Sequence, residues 1–229
     1  MKIKRKKMRM SEIISAAIMI MLAIITLFPF YIMVATSTKN QFEFATNFWG
    51  IRFPPVWDNY KTAFDAVKLY IFNSFKVSTT ATLITMITVV LAAYAFSRMR
   101  FKGRKVLFKI LIILIFMPMP MLLVPRFVIK YHLGLYNNHL ALWVGCFAPV
   151  YNIVIAKGFF DNIPTELFES MKIDGATEFT IITRLLIPLS VSILGTLALI
   201  TFIGAFNDFM TPFIYLSDEH LFTIPIGLM

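Results

Sequence analysis

Residues 162–188 read Asn-Ile-Pro-Thr-Glu-Leu-Phe-Glu-Ser-Met-Lys-Ile-Asp-Gly-Ala-Thr-Glu-Phe-Thr-Ile-Ile-Thr-Arg-Leu-Leu-Ile-Pro. This stretch is polar and lies between two long apolar runs. Its Pro164 and Gly175 predict the ends of one short helix, because proline favours the first turn of a helix and glycine the position just after the last. No other loop expected on the same side of these runs is as long, so this stretch is the best candidate for contact with a soluble partner.

The predicted helix carries both negative charge and an apolar stripe. Glu166 and Glu169 lie in its first turns, where the positive end of the helix dipole favours carboxylates. Leu167, Phe168 and Met171 are spaced one and four residues apart and form an apolar stripe on an otherwise charged helix. Such a stripe requires a surface against which to pack.

A second helix is predicted directly after Gly175. Thr177 can cap its N-terminus with the side-chain hydroxyl. Its apolar positions continue into the next apolar run and are Phe179, Ile182, Leu185 and Leu186. The loop at residues 157–184 is therefore predicted to form a helix, a glycine bend and a second helix at a membrane surface.

The composition of the whole chain is that of a membrane protein. Of its 229 residues, 59% are hydrophobic, and the mean hydropathy is +0.77, which is more apolar surface than a soluble core can bury. Charge-free apolar runs predict five transmembrane helices, at about residues 13–37, 77–96, 107–125, 140–157 and 185–206. The third and fourth runs reach the ~20 residues of a bilayer core only if Lys109 and Lys157 extend to the interface. Because no repeat or linker divides the chain, residues 1–229 are predicted to form one all-α integral membrane domain.

Basic residues near the ends of the runs orient the chain. One cluster precedes the first run and another follows the second: Lys2, Lys4, Arg5, Lys6, Lys7 and Arg9, then Arg98, Arg100, Lys102, Arg104 and Lys105. Both clusters are predicted to be cytoplasmic, because short loops rich in Lys and Arg stay on that side, and the loop at 157–184 then lies there too. The second cluster also suits a nucleic-acid surface, but aromatic stacking residues are sparse there and membrane segments flank it, so we expect no nucleic acid.

The sequence lacks the patterns of common catalytic sites. No Gly-x-x-x-x-Gly-Lys-Ser/Thr phosphate loop occurs, so this chain cannot hold ATP by that mechanism. His132, His139 and His220 lie in outer loops without a His-Glu-x-x-His pairing, and we expect them to be solvated rather than bound to a metal. We therefore expect no enzyme activity, no metal and no cofactor on this chain.

Polar residues within the apolar runs suit two roles. They are Ser78, Thr82 and Thr85 along one face of the second run, Asn152 in the fourth, and Asn207 and Asp208 at the end of the fifth. Hydroxyls and amides in a membrane can pack helices together, and they can line a path for a neutral polar solute such as a sugar. Both interpretations stay open from the sequence.

The loop at 157–184 resembles the cytoplasmic coupling loop of binding-protein-dependent ABC importer permeases. The signature of that loop is Glu-Ala-Ala, three residues and Gly, with Ile-Leu-Pro downstream. The corresponding residues here are Glu169-Ser170-Met171, Asp174-Gly175-Ala176 and Leu186-Ile187-Pro188. Ser170 and Met171 depart from the pattern by replacing two alanines.

Other stretches resemble the carbohydrate-uptake branch of these permeases, in particular the second permease subunit of maltose-type importers. These stretches are Asn59-Tyr60, Phe72–Ser78, Ala92–Arg98, Met117-Pro118, Leu133–Leu135 and Phe206–Phe209 with Pro212. Ser192 stands where the family usually has a proline, which predicts a straighter fifth helix.

The resemblance implies a permease subunit that moves an oligosaccharide or a related polyol across a bacterial plasma membrane. It implies a homologous second permease, two ATPase subunits that bind ATP and magnesium, an extracytoplasmic solute-binding protein, and a sixth transmembrane helix beyond Met229. The residues that it assigns to the ATPase contact are Pro164, Glu166, Leu167, Phe168, Glu169, Met171, Asp174, Gly175 and Ala176. The alternative is a membrane scaffold or assembly protein that recruits a cytoplasmic partner through the same loop without moving solute.

Overall fold

The computed structural model describes residues 10–229. The basic residues Lys2 to Arg9, on which the predicted orientation of the N-terminus depends, lie outside the described residues. Between residues 10 and 229 the chain forms helices, turns and loops, and no strand. Its contacts group it into two units, of which one ends at Ala66 and the other is Val67–Met229.

Thirteen α-helices are found in the described residues. In chain order they are α1 (Met10–Ser37), α2 (Gln41–Thr46), α3 (Trp57–Arg98), α4 (Arg104–Ile115), α5 (Leu123–His132), α6 (Leu140–Trp143), α7 (Val150–Asp161), α8 (Thr165–Ile173), α9 (Glu178–Ile181), α10 (Ile187–Leu189), α11 (Val191–Phe206), α12 (Met210–Tyr215) and α13 (Ile224–Gly227). Short 3-10 turns follow α4, α6 and α12, and a π-helical turn, Ile182–Leu186, joins α9 to α10.

Polar contacts order the loop that follows α1. Asn40 begins α2 with a capping box, in which its side chain accepts from the backbone of Glu43 and the Glu43 carboxylate accepts from the Asn40 backbone. The buried Lys39 ammonium donates to the carbonyls of Asn47 and Phe48. A lysine charge is rarely buried unless it is paired in this way.

The helix that contains the predicted second transmembrane segment is much longer than that segment. α3 contains 42 residues and begins at Trp57, well before the predicted segment at about residues 77–96. The exposed aromatic residues Trp57, Tyr60 and Phe64 lie in its first turns.

Three segments among the described residues are long and apolar enough to cross a membrane: α1, α3 and Leu140–Asp161. A fourth is reached if Glu178–Leu189 and Val191–Phe206 are counted as one broken segment. The third predicted run, 107–125, is not one helix, since α4 ends at Ile115 and a 3-10 turn, Met119–Leu122, separates it from α5. Prolines at positions 118, 120 and 125 explain the break, because proline cannot donate the backbone hydrogen bond that continues a helix.

The prediction of a straighter fifth helix is wrong. The chain bends by 83° between Glu178–Leu189 and Val191–Phe206, and the break is at Ser190. Before it, the Ile187 amide donates to the carbonyl of Ile182 in the π-helical turn, and Pro188 brings no amide donor. Ser192 lies beyond the break, in the first turn of α11, so its identity does not set the bend.

The core of the second unit joins α3, α7, α8, α9 and α11. Its fully or nearly buried members are Val89, Val90, Ala93, Tyr94, Ile153, Ala156, Phe160, Ile163, Phe168, Ile181, Ile182, Leu186, Leu194 and Leu197. Because α8 contributes a side chain to this core, the predicted coupling helix is fixed to the rest of the unit by packing.

The prediction that all three histidines are solvated is wrong for His139. Its side chain is buried, and its Nε2 atom lies 2.8 Å from the carbonyl oxygen of Leu221. Burial lowers the pKa of His139, because the protonated form loses solvation. His132 and His220 are exposed, as expected.

Candidate functional site

α8 begins and ends close to the predicted residues. Pro164 directly precedes its first residue. At the other end, Gly175 has a φ of 77°, its amide donates to the carbonyl of Lys172 at 3.1 Å, and the Ala176 amide donates to Met171 at 2.9 Å. These two bonds form a Schellman motif, which needs a left-handed residue at the position of the glycine. The prediction of a helix that ends in a glycine bend is confirmed.

The second helix of the loop starts as the sequence predicts. The Thr177 hydroxyl accepts a hydrogen bond from the Thr180 amide at 3.2 Å and caps α9. Across the glycine bend, the Lys172 ammonium lies 2.9 Å from the Glu178 carboxylate. The same carboxylate accepts a hydrogen bond from the buried Tyr94 hydroxyl of α3. The salt bridge therefore joins the residues before and after Gly175, and Tyr94 attaches Glu178 to α3.

The predicted apolar stripe of α8 is divided between two faces. Phe168 is only 4% exposed, and its ring centroid lies 6.4 Å from that of Tyr94. Met171 and Ala176 are partly buried against the same core. These three residues attach α8 to its own chain, so the Phe168 side chain presents no surface to a partner.

The outer face of α8, defined here as Glu166, Leu167, Glu169, Ser170 and Ile173, is exposed. Leu167 is 40% exposed and Ile173 is 85% exposed. The sequence interpretation missed Ile173, although a signal was present: five residues after Phe168, it lies on the opposite side of a helix. Leu167 and Ile173 are therefore the exposed apolar side chains of this face.

The hydroxyls of the second predicted segment make hydrogen bonds to backbone carbonyls of the same chain. Ser78 is fully buried and donates to the Ser74 carbonyl, and Thr82 donates to the Ser78 carbonyl, both at 2.7 Å. Thr85 is also buried, and its hydroxyl lies 3.4 Å from the carbonyl of Cys146. These contacts favour the packing interpretation over pathway lining for Ser78 and Thr85.

The other polar residues proposed for a pathway are not gathered into one site. Asn152 of α7 donates to the Thr201 hydroxyl of α11 at 3.0 Å, while Asn207 donates to the carbonyl of Ile203. Asp208 borders a cavity of about 200 Å³ that two cationic residues also border, namely Arg126 and Lys130. The sequence analysis did not predict Arg126 and Lys130 as site residues, although their spacing of four residues places them on one helix face.

Among residues 10–229, no group of three or more His, Cys, Asp or Glu side chains is placed to hold a metal ion.

Residues 84–227 match the family described as the binding-protein-dependent transport system inner membrane component. The chain belongs to this family. Members are membrane permease components of ABC importers, in which a separate subunit is the ATPase.

Three relatives illustrate the similarity of this permease to named transport permeases. The inner membrane ABC transporter permease protein YcjP of Escherichia coli is 33% identical over 213 residues, which are 90% of this chain and 76% of the relative. The galactooligosaccharides transport system permease protein GanQ of Bacillus subtilis is 35% identical and is aligned over 76% of this chain and 64% of its own length. The trehalose/maltose transport system permease protein MalG of Thermococcus litoralis is 32% identical, with 91% of this chain and 77% of the relative aligned.

A solved structure shows the same fold. It is the crystal structure of a bacterial ABC transporter involved in the import of the acidic polysaccharide alginate, with a TM-score of 0.84 and 21% identity. The match covers 100% of this permease and 81% of the other chain. The helix order described above is therefore that of an ABC importer permease.

Proposed function

We propose that this permease moves a carbohydrate of oligosaccharide size across the bacterial plasma membrane. The relatives that are named for galactooligosaccharides and for trehalose and maltose support this class of solute. The observation that carries the coupling part of the proposal is the division of α8 into an exposed outer face and an inner face that belongs to the core.

The outer face of α8 is the proposed docking surface for an ATPase subunit. Leu167 and Ile173 supply the exposed apolar area. Glu166, Glu169 and the exposed Asp174 surround it with negative charge. A cleft with an apolar floor and a basic rim is the complementary surface, since interfaces pair an apolar centre with a polar margin of opposite charge.

The proposed topology has five transmembrane segments, of which the third is broken and the fifth is bent, and a cytoplasmic N-terminus, with residues 1–229 acting as one permease domain. The loop at 157–184 then lies in the cytoplasm together with the basic residues that follow α3. The proposed assembly contains a homologous second permease, two ATPase subunits and an extracytoplasmic solute-binding protein. ATP and magnesium bind to the ATPase subunits, and this chain contributes no catalytic residue and contacts no nucleic acid.

In the proposed mechanism, closure of the ATPase dimer moves α8, and the transmembrane helices follow between inward-open and outward-open arrangements. Such a change needs two states that the nucleotide stabilises to different extents. The carboxylates, the apolar residues and the glycine bend of the loop transmit this movement and perform no chemistry.

A reconstituted complex tests this function. We expect ATP hydrolysis by the complex in lipid vesicles to rise when the binding protein and one member of a panel of oligosaccharides are added. The same sugar is expected to accumulate inside vesicles only when ATP is supplied. A complex whose ATP hydrolysis responds to no solute, and which moves none, supports the scaffold alternative instead.

A further inference from the structure

The cytoplasmic end of α3 contacts each of the three helices of the coupling loop region. Tyr94, Ser97 and Arg98 are spaced so that they lie on one face of a helix. Tyr94 donates to Glu178 of α9, and the Ser97 hydroxyl lies 2.7 Å from the Asp161 carboxylate of α7. Arg98 makes the contacts with α8 itself.

We propose that Arg98 is the positioning residue that joins the coupling helix α8 to the transmembrane helix α3, so that a displacement of one is transmitted to the other. This inference rests on the proposed function of α8. From the sequence, Arg98 was assigned to the basic cluster that orients the chain and to the Ala92–Arg98 stretch that resembles the family, with no role in coupling.

Four contacts define what we name the Arg98 clamp. Nη2 donates to the carbonyls of Phe160 and Ile163, at the end of α7 and in the turn before α8. Nη1 donates to the Thr165 hydroxyl in the first turn of α8, at 3.2 Å. The guanidinium carbon lies 4.3 Å from the centroid of the Phe168 ring. One side chain of α3 therefore reaches the end of α7, the start of α8 and its buried aromatic residue.

The chemistry of these contacts requires arginine. Its guanidinium is planar, so it can donate from its edge to several acceptors while its face lies over an aromatic ring. A lysine ammonium is a point charge without a planar face, so it cannot satisfy the same acceptors and the ring together. Charge-assisted hydrogen bonds in a partly buried site are also stronger than neutral ones, and they resist separation of the elements that they join.

The clamp explains how a short surface helix can act on a long one. Without Arg98, α8 remains attached by the packing of Phe168 and Met171 on the core and, across the glycine bend, by the contact between Tyr94 and Glu178 of α9. Movement of α8 can then be absorbed in the turns on either side of it. With the clamp in place, the Thr165 hydrogen bond and the Phe168 ring contact join the first turn of α8 to the last turn of α3, so that the two turns move together.

Arg98→Met tests the clamp in the reconstituted complex with its ATPase, second permease and binding protein. Methionine keeps an apolar stem but donates no hydrogen bond. We expect solute transported per ATP hydrolysed to fall by about tenfold, a coupling change of ordinary size between two sites. Arg98→Lys is expected to show most of this loss. The matched control is Arg100→Met, which removes the same charge from an exposed position two residues later and is expected to leave the ratio unchanged.

A second variant covers the case in which Arg98→Met fails to assemble. Thr165→Val removes one acceptor of the clamp, keeps the shape of the side chain and is expected to lower the ratio partially. When both substitutions are combined, the ratio is expected to equal that of Arg98→Met alone, because the shared contact is lost only once.

The outcomes separate the clamp from the proposed function. A wild-type complex without solute-stimulated ATP hydrolysis overturns the proposed function and the clamp with it. A stimulated wild type overturns the clamp alone if Arg98→Met has a normal ratio or if Arg100→Met shows an equal loss. If Arg98→Met does not assemble, a normal ratio in Thr165→Val overturns the clamp.

Discussion

Leu167→Asp is expected to release the ATPase subunit from this permease. The residue lies on the outer face of α8, where its side chain is 40% exposed, so the substitution should cost the fold of the chain little. In the proposed complex, the carboxylate introduced at position 167 is buried against the ATPase without a partner. Burying an unpaired charge in an interface costs about 3–5 kcal/mol, which weakens association by more than about a hundredfold.

The measurement is the amount of ATPase that co-purifies with the permease from detergent-solubilised membranes. Leu133→Asp is the matched control, because it places the same charge at an exposed leucine just after α5, in a loop predicted to be outside. Wild-type recovery of the ATPase with the Leu167→Asp variant would exclude this face as the docking surface. Equal loss in both variants would point to a general defect of the permease.

Gly175→Val is expected to have the next largest effect. Gly175 has a φ of 77°, and nothing lies within 4 Å of an added Cβ, so the cost comes from the backbone and not from crowding. A β-branched residue in the left-handed region costs about 2 kcal/mol, which corresponds to about a thirtyfold change in an equilibrium. The two hydrogen bonds that end α8 are then weakened, and its outer face is no longer presented at a fixed angle.

Solute uptake and ATPase co-purification together test this prediction. Gly158→Val is the control, because Gly158 lies within α7, has no positive φ and is also open to an added Cβ. We expect Gly158→Val to retain uptake and Gly175→Val to lose most of it, while both are inserted in the membrane in normal amounts. Normal uptake in Gly175→Val would remove the glycine bend from the mechanism.

The features of the fold that depend on neighbouring residues were predictable. Pro164, Gly175 and Thr177 define helix ends through hydrogen bonds that span only a few residues, and the structure places α8 and α9 accordingly. The bend of the fifth segment and the length of α3 were not predicted, because an apolar run marks the part of a helix that can cross a membrane and not where the helix bends or begins. The 83° bend at Ser190 follows the π-helical turn and Pro188, and α3 already begins at Trp57.

The same distinction applies to the candidate site. A helical stripe shows which residues lie near one another, but it does not show which side faces the core. Phe168 was therefore assigned to a partner, although the ring packs under Arg98 and beside Tyr94. Arg98 was predicted as a topology signal and not as a coupling residue. Its contacts with Phe160, Ile163 and Thr165 join positions more than sixty residues apart, and local spacing in the sequence does not reveal such contacts.

Site-directed crosslinking from Ile173 tests the central claim most directly. The chain has one cysteine, Cys146, so Ile173→Cys in a Cys146→Ser background places a single thiol at a position that is 85% exposed on α8. A short bifunctional reagent is predicted to join this thiol to the ATPase subunit of the intact complex, with a yield that changes when ATP binds. A complex that co-purifies intact but gives no crosslink from Ile173 to the ATPase, with or without ATP, would contradict the account.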